Sequence, residues 1–408
     1  MTKEKSTVPR LRFPGFTDAW KQRKLGEFMK ESKILGSKGD IARKLTVRLW
    51  GRGVVSKKEI YSGSSATQYY IRKSGQFIYG KLDFLNQAFG IIPPELDGYE
   101  STLDSPAFDL LKEINGQFLL EFVSRKEFYY YQGNIANGSR KAKRIHTETF
   151  LGMPISLPTL PEQEAIGSFF SDLDQLITLH QRKLDDIKEL KKALLQKMFP
   201  KGNGNDFPEL RFPEFTDTWK QRKFSDLAEV RRGLTYSPSA IRSHGVRVLR
   251  SSNINEDTFV FGEDDVFVDK SVVKIPLVKE GDILITSANG SSRLVGKHSI
   301  IKGLPSNSAI HGGFMLLASS KVPCFLNAFM SSTWYHKFIG LYVAGGNGAI
   351  GNLNKSDLDE QIVLVPTLPE QEAIGSFFSG LDQLITLHQR QLDHLKLLKK
   401  ALLQQMFI

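Results

Sequence analysis

Arginine, lysine, asparagine and serine in polar loops are the side chains of this sequence best suited to chemistry. Arg140, Lys141, Lys143 and Arg144 make one cationic loop, shortly after Tyr129, Tyr130 and Tyr131. Arg48, Arg52 and Lys81 add cations at the ends of strand-like runs. In the second half, Arg250, Asn253, Ser287 and Asn289 lie in polar or glycine-rich loops, followed by Arg293 and Lys297. His311, Asn347, Asn352 and Lys355 complete the set. Arginine reads guanine with two parallel hydrogen bonds and asparagine reads adenine, whereas lysine and serine favour phosphates. Each residue taken alone is equally a solvated surface side chain. Together they gain weight because they fall in comparable loops of both halves. A net charge of +11 and a pI near 9.4 suit the same polyanionic partner, since neutralising phosphates releases counterions.

Catalytic signatures fare worse. Gly346-Asn347-Gly348-Ala349-Ile350-Gly351 is a literal GxGxxG, but no strand–helix–strand unit of the right length surrounds it, as a dinucleotide site requires. It is expected to be a polar surface loop. Glu189 and Lys191 have nuclease-like spacing but sit inside a helical stretch whose repeat carries Leu397 instead of the acid. Glu31 and Lys33 map likewise onto Val230 and Arg232. The one Pro-Pro pair, Pro93-Pro94, lacks the amide and the aromatic of an amino-methyltransferase motif, and no HExxH or nucleophile elbow occurs. A single cysteine, Cys324, excludes an intramolecular disulfide or a CxxC zinc site. Neither catalysis nor metal binding is expected of this chain. The 40% hydrophobic and 11% aromatic content argues for folded domains. No run approaches the ~18 apolar residues that span a bilayer, so no membrane partner and a cytoplasmic location are expected.

The elements that must position these loops are duplicated. Pro158–Phe199 returns as Pro366–Phe407, offset by 208 residues, with 36 of 42 positions identical. Pro9–Lys24 returns as Pro208–Lys223 with 13 of 16 identical. The chain therefore reads as 1–157, lead-in and first globular block; 158–207, first spacer helix and linker; 208–365, lead-in and second block; 366–408, second spacer helix. Apolar residues at steps of three and four, from Ile166 to Met198 and from Ile374 to Met406, mark one face of a long helix. Pro161 and Pro369 suit the start, Gly167 is a possible break, and a continuous helix 161–199 would span roughly 58 Å. Two copies of one apolar face can pair as an antiparallel coiled coil. His180 and His388 interrupt the stripes at their midpoints, so a fully overlapped pair would bring them together and fix the register. The blocks share possible anchors: Arg48 with Arg250, Gly75 with Gly281, Gly90 with Gly296 and Gly138 with Gly346. Phe77–Tyr79, Ile155–Leu157, Asp282–Thr286 and Ile362–Val365 read as strands, and Leu110–Val123 and Phe325–Phe338 as helices. Each block is expected to be mixed α/β with short-stranded sheets.

The paired LRFPxFxDxWKQRK lead-ins and the two PTLPEQEAIGSFFSxLDQLITLHQR frames, each after a globular block, resemble the specificity subunit of type I restriction–modification systems over essentially the whole chain. The resemblance implies two target recognition domains that each bind part of a bipartite double-stranded DNA site. It also implies a coiled-coil spacer with two-fold pseudo-symmetry that helps dock methyltransferase (modification) subunits. Those subunits bind S-adenosylmethionine and methylate adenine, while separate restriction or motor subunits use ATP and magnesium. No catalytic residue is implied here, and base contacts do not carry over residue by residue. A stand-alone bipartite DNA-binding regulator is the alternative. If the paired helices act as a ruler, adding one helical turn to both frames should lengthen the unread gap and leave each half-site unchanged. An unchanged gap in the mapped sites refutes the ruler.

Overall fold

The computed structural model describes residues 8–58, 63–135, 144–201, 207–342 and 352–408. The chain folds as two units, Met1–Gln181 with Arg390–Ile408 and Arg182–Gln389. These borders fall elsewhere than the sequence borders at 157, 207 and 365 because both long helices are shared out. Helix Leu160–Lys197 starts in unit one and ends in unit two, and helix Leu368–Met406 does the reverse.

In unit one, the antiparallel sheet runs in the order Met29–Ser32, Ala107–Leu110, Phe77–Tyr79, Phe89–Ile91. Alternation along the central strand feeds two cores. Phe77 and Tyr79 join Phe84, Phe108 and Phe150, while Ile78 joins Leu45, Val54 and Ile92. Unit two repeats the order with Glu229–Arg232, Met315–Ser319, Ile283–Thr286 and His298–Ile300. There Ile283 and Ile285 face one core and Leu284 another.

The shared sheet sorts the proposed anchors. Gly75 and Gly281 are equivalent: both have positive φ (81° and 90°), and their amides donate to Ile92 O and Ile301 O at 2.9 Å. Gly90 and Gly296 are not equivalent. Gly90 lies in the sheet opposite Ile78, where unit two has Ser299 opposite Leu284, and Gly296 sits in the turn before that strand. Arg48 and Arg250 follow strands of different sheets: Leu45–Val47 is half of a hairpin, and Val246–Leu249 lies beside the parallel strand Ala309–His311. Gly138 and Gly346 fall outside the described residues.

The four strands expected from sequence are present as Phe77–Tyr79, Pro154–Leu157, Ile283–Thr286 and Ile362–Val365. The helix expected at Leu110–Val123 begins later, at Gly116, because Leu110 ends a strand and Asn115 caps the helix by accepting from the Phe118 amide at 2.9 Å. The helix expected at Phe325–Phe338 is two, Pro323–Met330 and Thr333–Tyr342, parted at Ser331-Ser332.

Gly167 does not break its helix. A Cβ there would come within 2.6 Å of Asn115 Oδ1 and 3.1 Å of the Phe118 amide nitrogen, and one at Gly375 within 2.6 Å of the Phe325 nitrogen. The glycines let the start of each block's helix rest on the long helix. Each lead-in strand also closes its block, Lys21–Lys24 against Pro154–Leu157 and Lys220–Lys223 against Ile362–Val365.

Within unit one the long helices run antiparallel. Phe170 faces Phe407 with ring centroids 6.1 Å apart, and Asp174 accepts from Lys399 at 2.8 Å. Unit two repeats both contacts moved by one 208-residue offset, Phe378 with Phe199 at 5.9 Å and Asp382 with Lys191 at 2.6 Å. A register centred on the histidines asks for residue 180 opposite 388. In unit one Gln181 instead meets Lys396, at 3.5 Å, about two turns further along that helix. His180 and His388 are each half-buried.

Glu162 and Glu370, in the first turns of the two long helices, are fully buried. Each accepts from the two donors of one lead-in arginine: Arg12 at 2.6 and 2.7 Å, and Arg211 at 2.7 and 2.7 Å. The same arginines donate to Asp18 O and Asp217 O, fastening each lead-in to its long helix. Removing one partner of a buried pair leaves an uncompensated charge. Arg211→Met should therefore destabilise unit two by about 3 kcal/mol, read by denaturant unfolding through Trp219, which donates to Glu370 at 3.3 Å. Recovery is expected on adding Glu370→Gln.

Candidate nucleic-acid interface

In unit one the hairpin Leu45–Val47 and Val54–Ser56 projects the turn 48–53. Arg48 and Arg52 are exposed on it, and the Arg48 amide donates to Gly53 O at 2.9 Å. The turn is tied to the neighbouring loop by Trp50 N to Asn86 O at 2.7 Å and Gly51 N to Gln87 O at 3.1 Å. Lys81 and Arg144 gather around the 102–105 loop. Lys81 N donates to Asp104 O at 2.8 Å, and the Arg144 guanidinium pairs with the Asp104 carboxylate. Arg140, Lys141 and Lys143 lie outside the described residues. Of the tyrosines before them, Tyr130 and Tyr131 are exposed and Tyr129 is buried.

Arg72 escaped the sequence reading. It is completely buried and shapes the 102–105 loop from below. Its guanidinium donates to Ser101 Oγ and Ser32 O, both at 2.7 Å, and to Thr102 O and Ser105 O at 3.4 and 3.3 Å. Burial pulls its pKa down to about 10. Nothing in the run Tyr69-Tyr70-Ile71-Arg72 separates it from a surface arginine, since its partners, Ser101 Oγ and three main-chain oxygens, are distant in sequence.

In unit two the structure brings together Ser287, Asn289, Asn352 and the turn after Arg250. Leu353 N donates to Ser287 O at 2.8 Å, Ala288 bridges to Asn352, and Asn289 Nδ2 donates to Ser251 Oγ at 3.1 Å. Asn352 is exposed and Asn289 half-buried. Arg293 is exposed on the following turn, with Lys297 half-buried at its end. Arg250 donates to Asp264 O at 2.6 Å and to its carboxylate at 3.3 Å. Exposed pairs of this kind are worth about 0–1 kcal/mol, so a phosphate or guanine can replace Asp264. Lys355 is likewise paired with Asp359, one helical turn on. Asn347 lies outside the described residues.

Three sequence candidates turn inward. Asn253 is fully buried with its amide engaged: Oδ1 accepts from Arg250 N at 2.8 Å, and Nδ2 donates to Asp265 Oδ1 at 2.7 Å and Val260 O at 3.1 Å. It braces the turn that presents Arg250 rather than reading a base. Ser287 is buried and serves through its main chain. His311 is a core residue of strand Ala309–His311, with Nε2 3.3 Å from Arg231 O. A lone polar residue in a glycine-rich stretch carries no sign of which way it points, so composition placed all three on the surface.

Among the described residues no group of three or more histidine, cysteine or acidic side chains could hold a metal ion. No described helix is long and apolar enough to cross a membrane.

Two units with the same sheet, different peripheral loops and cationic turns make a duplicated scaffold. The family model for the type I restriction modification DNA specificity domain matches residues 18–189 and 216–397, and the chain belongs to that family. It is 22% identical over 270 residues to the type I restriction enzyme MjaVIII specificity subunit of Methanocaldococcus jannaschii, covering 64% of this chain and 62% of that one. It is 25% identical over 254 residues to the EcoKI specificity subunit of Escherichia coli, covering 60% and 54%. The matched segment thus spans less than two thirds of the length of these relatives. The crystal structure of the S subunit of a type I restriction-modification system from M. genitalium shares the fold, with TM-score 0.64, 12% identity, and 98% and 99% of the two chains covered.

Burial pulls the His311 imidazole from an ordinary 6.5 down to about 4. Between those values the unfolded chain takes up a proton that the folded one refuses, so stability is lost as pH falls from 6.5 to 4. The loss amounts to about 3 kcal/mol. In His311→Gln that part of the acid slope should vanish from chemical unfolding midpoints measured across the range; an unchanged slope contradicts the assignment.

Proposed function

We propose that this chain is the DNA-recognition subunit of a type I restriction–modification complex and is itself non-catalytic. Each unit reads one part of a two-part double-stranded site, and the paired long helices hold the two readings at a fixed separation. The same helices and lead-ins dock methyltransferase subunits, which bring S-adenosylmethionine and modify adenine. Restriction or motor subunits bring ATP and magnesium. The place of action is the cytoplasm, where such partners meet DNA.

One observation carries this reading: a nearly invariant scaffold holds two blocks whose outer loops differ. The two four-stranded sheets share one strand order, yet the turn bearing Arg48 and Arg52 has no equivalent at Arg250. A scaffold kept the same while its loops differ suits a device for reading two unlike sequences in one geometry. The excess of cations supports a phosphate-rich partner.

The test is to map methylated adenines genome-wide in cells with and without the chain, and to ask whether a methyltransferase co-purifies with it. The expected result is an interrupted, asymmetric methylated sequence that disappears with the chain. Sequence-specific DNA binding with no methyltransferase attached would instead make it a stand-alone regulator.

A further inference from the structure

Each unit exposes an aromatic ring at a tied-down turn beside its candidate DNA-binding groups, and neither ring belongs to a hydrophobic core. In unit one it is Trp50, 57% exposed between Arg48 and Arg52. Its backbone is strained: φ is +62°, a conformation that a bulky L residue rarely adopts. The loop that holds it is strained too, with Gln87 at φ +54°. The bonds from Trp50 N and Gly51 N to Asn86 O and Gln87 O keep both in place. Strain of this kind persists where the surroundings over-determine it, and it gathers at functional sites. Trp20 and Trp219 are buried and Trp334 is half-buried, so Trp50 is the tryptophan most open to solvent.

In unit two the ring is Phe314, 74% exposed. It follows Gly312 and Gly313, and its carbonyl accepts from Ser287 N at 2.9 Å and Ala288 N at 3.2 Å. Those bonds fix the Phe314 main chain against the loop that carries Asn289 and meets Asn352. A Cβ at Gly312 would lie 3.9 Å from Arg250 Cγ, so Arg250 flanks the same turn. Single exposed apolar side chains are ordinary on protein surfaces. Ile41 at 74% and Leu341 at 79% are such cases, aliphatic and without a ring to stack. Trp50 and Phe314 differ in being aromatic, pinned by main-chain bonds, and bordered by arginine. Cations hold the phosphates while a flat apolar ring, presented rigidly, can enter between base steps or lie on a base face.

We propose that Trp50 and Phe314 insert against the bases of the half-sites that units one and two read, each setting a base-step preference in its own half. This rests on the DNA-recognition reading above. The test uses the full chain co-expressed with the methyltransferase subunit and a randomised duplex DNA library. Wild type, Trp50→Ala, Trp50→Phe, Phe314→Ala and Phe314→Trp are each taken through selection, and affinities are measured on the duplex that wild type enriches. Trp50→Ala is expected to weaken binding about tenfold and to flatten preference in one half-site only. Phe314→Ala should do the same in the other half-site, and the aromatic replacements should restore both. DNA should also quench the solvent-exposed tryptophan emission of wild type but not that of Trp50→Phe. Thermal unfolding should be unchanged throughout, since neither ring supports the core. If wild type enriches a two-part site and the alanine variants enrich the same one with equal affinity, this proposal falls alone. If wild type enriches no sequence, the recognition reading falls and takes the proposal with it.

Discussion

The structure depends on a borrowed aromatic. Unit one's core closes around Phe407, which lies 5.4 Å from Phe118 and 6.0 Å from both Phe122 and Trp20, measured between ring centroids. That ring comes from the end of the helix that begins in unit two. Unit two is finished in the same way by Phe199, 6.2 Å from Trp219, 6.1 Å from Phe325 and 5.8 Å from Phe329. Aromatic side chains bury large areas and gain further from edge-to-face contact, so neither block has a complete core without the far end of the other repeat's helix. This explains why the frames are so nearly alike while the blocks diverge. Every frame must fit a socket at each end, whereas the outer loops fit nothing inside the protein.

Around that constraint the polar contacts act as locators. The paired Arg12–Glu162 and Arg211–Glu370 bridges set the lead-ins on the helices, and Gly167 and Gly375 admit the block helices at one point each. Unit one adds an acid that unit two lacks. Lys399 binds Asp174 and also the buried Glu121 at 3.1 Å, whereas the matching position in unit two is Ala328. Burial pushes the Glu121 carboxyl up, although Lys399 opposes it. For Lys399 burial works downward, but the two carboxylates outweigh it and hold the ammonium above its usual range.

The scaffold was far more legible in the sequence than the interface. Repetition and a 3.6-residue apolar period identify Leu160–Lys197 and Leu368–Met406 almost to the residue, because burial of one helix face leaves a regular trace. Short elements leave a fainter one. The pattern from Leu110 to Val123 suggests one helix although Leu110 ends a strand opposite Met29, and Ser331-Ser332 divides a run that looks continuous. For the candidate site, residue type pointed to loop positions that the structure leaves exposed in several cases, such as Arg48, Arg293 and Asn352. It fails wherever direction decides: Asn253 and His311 point inward, and buried Arg72 looks like any surface arginine. Side-chain direction in irregular loops is set by long-range main-chain bonds, which have no local period.

The division of the helices also orders events in time. Unit two is one uninterrupted stretch, Arg182–Gln389, whereas unit one needs Arg390–Ile408 to join residues that precede Arg182. A chain growing from its N-terminus therefore holds every residue of unit two before it can finish unit one. Until then the ring of Trp20, Phe118, Phe122 and Phe170 stands open as an apolar socket, and such surfaces recruit chaperones or aggregate during synthesis. The unit encoded first is the one whose maturation waits for the second long helix.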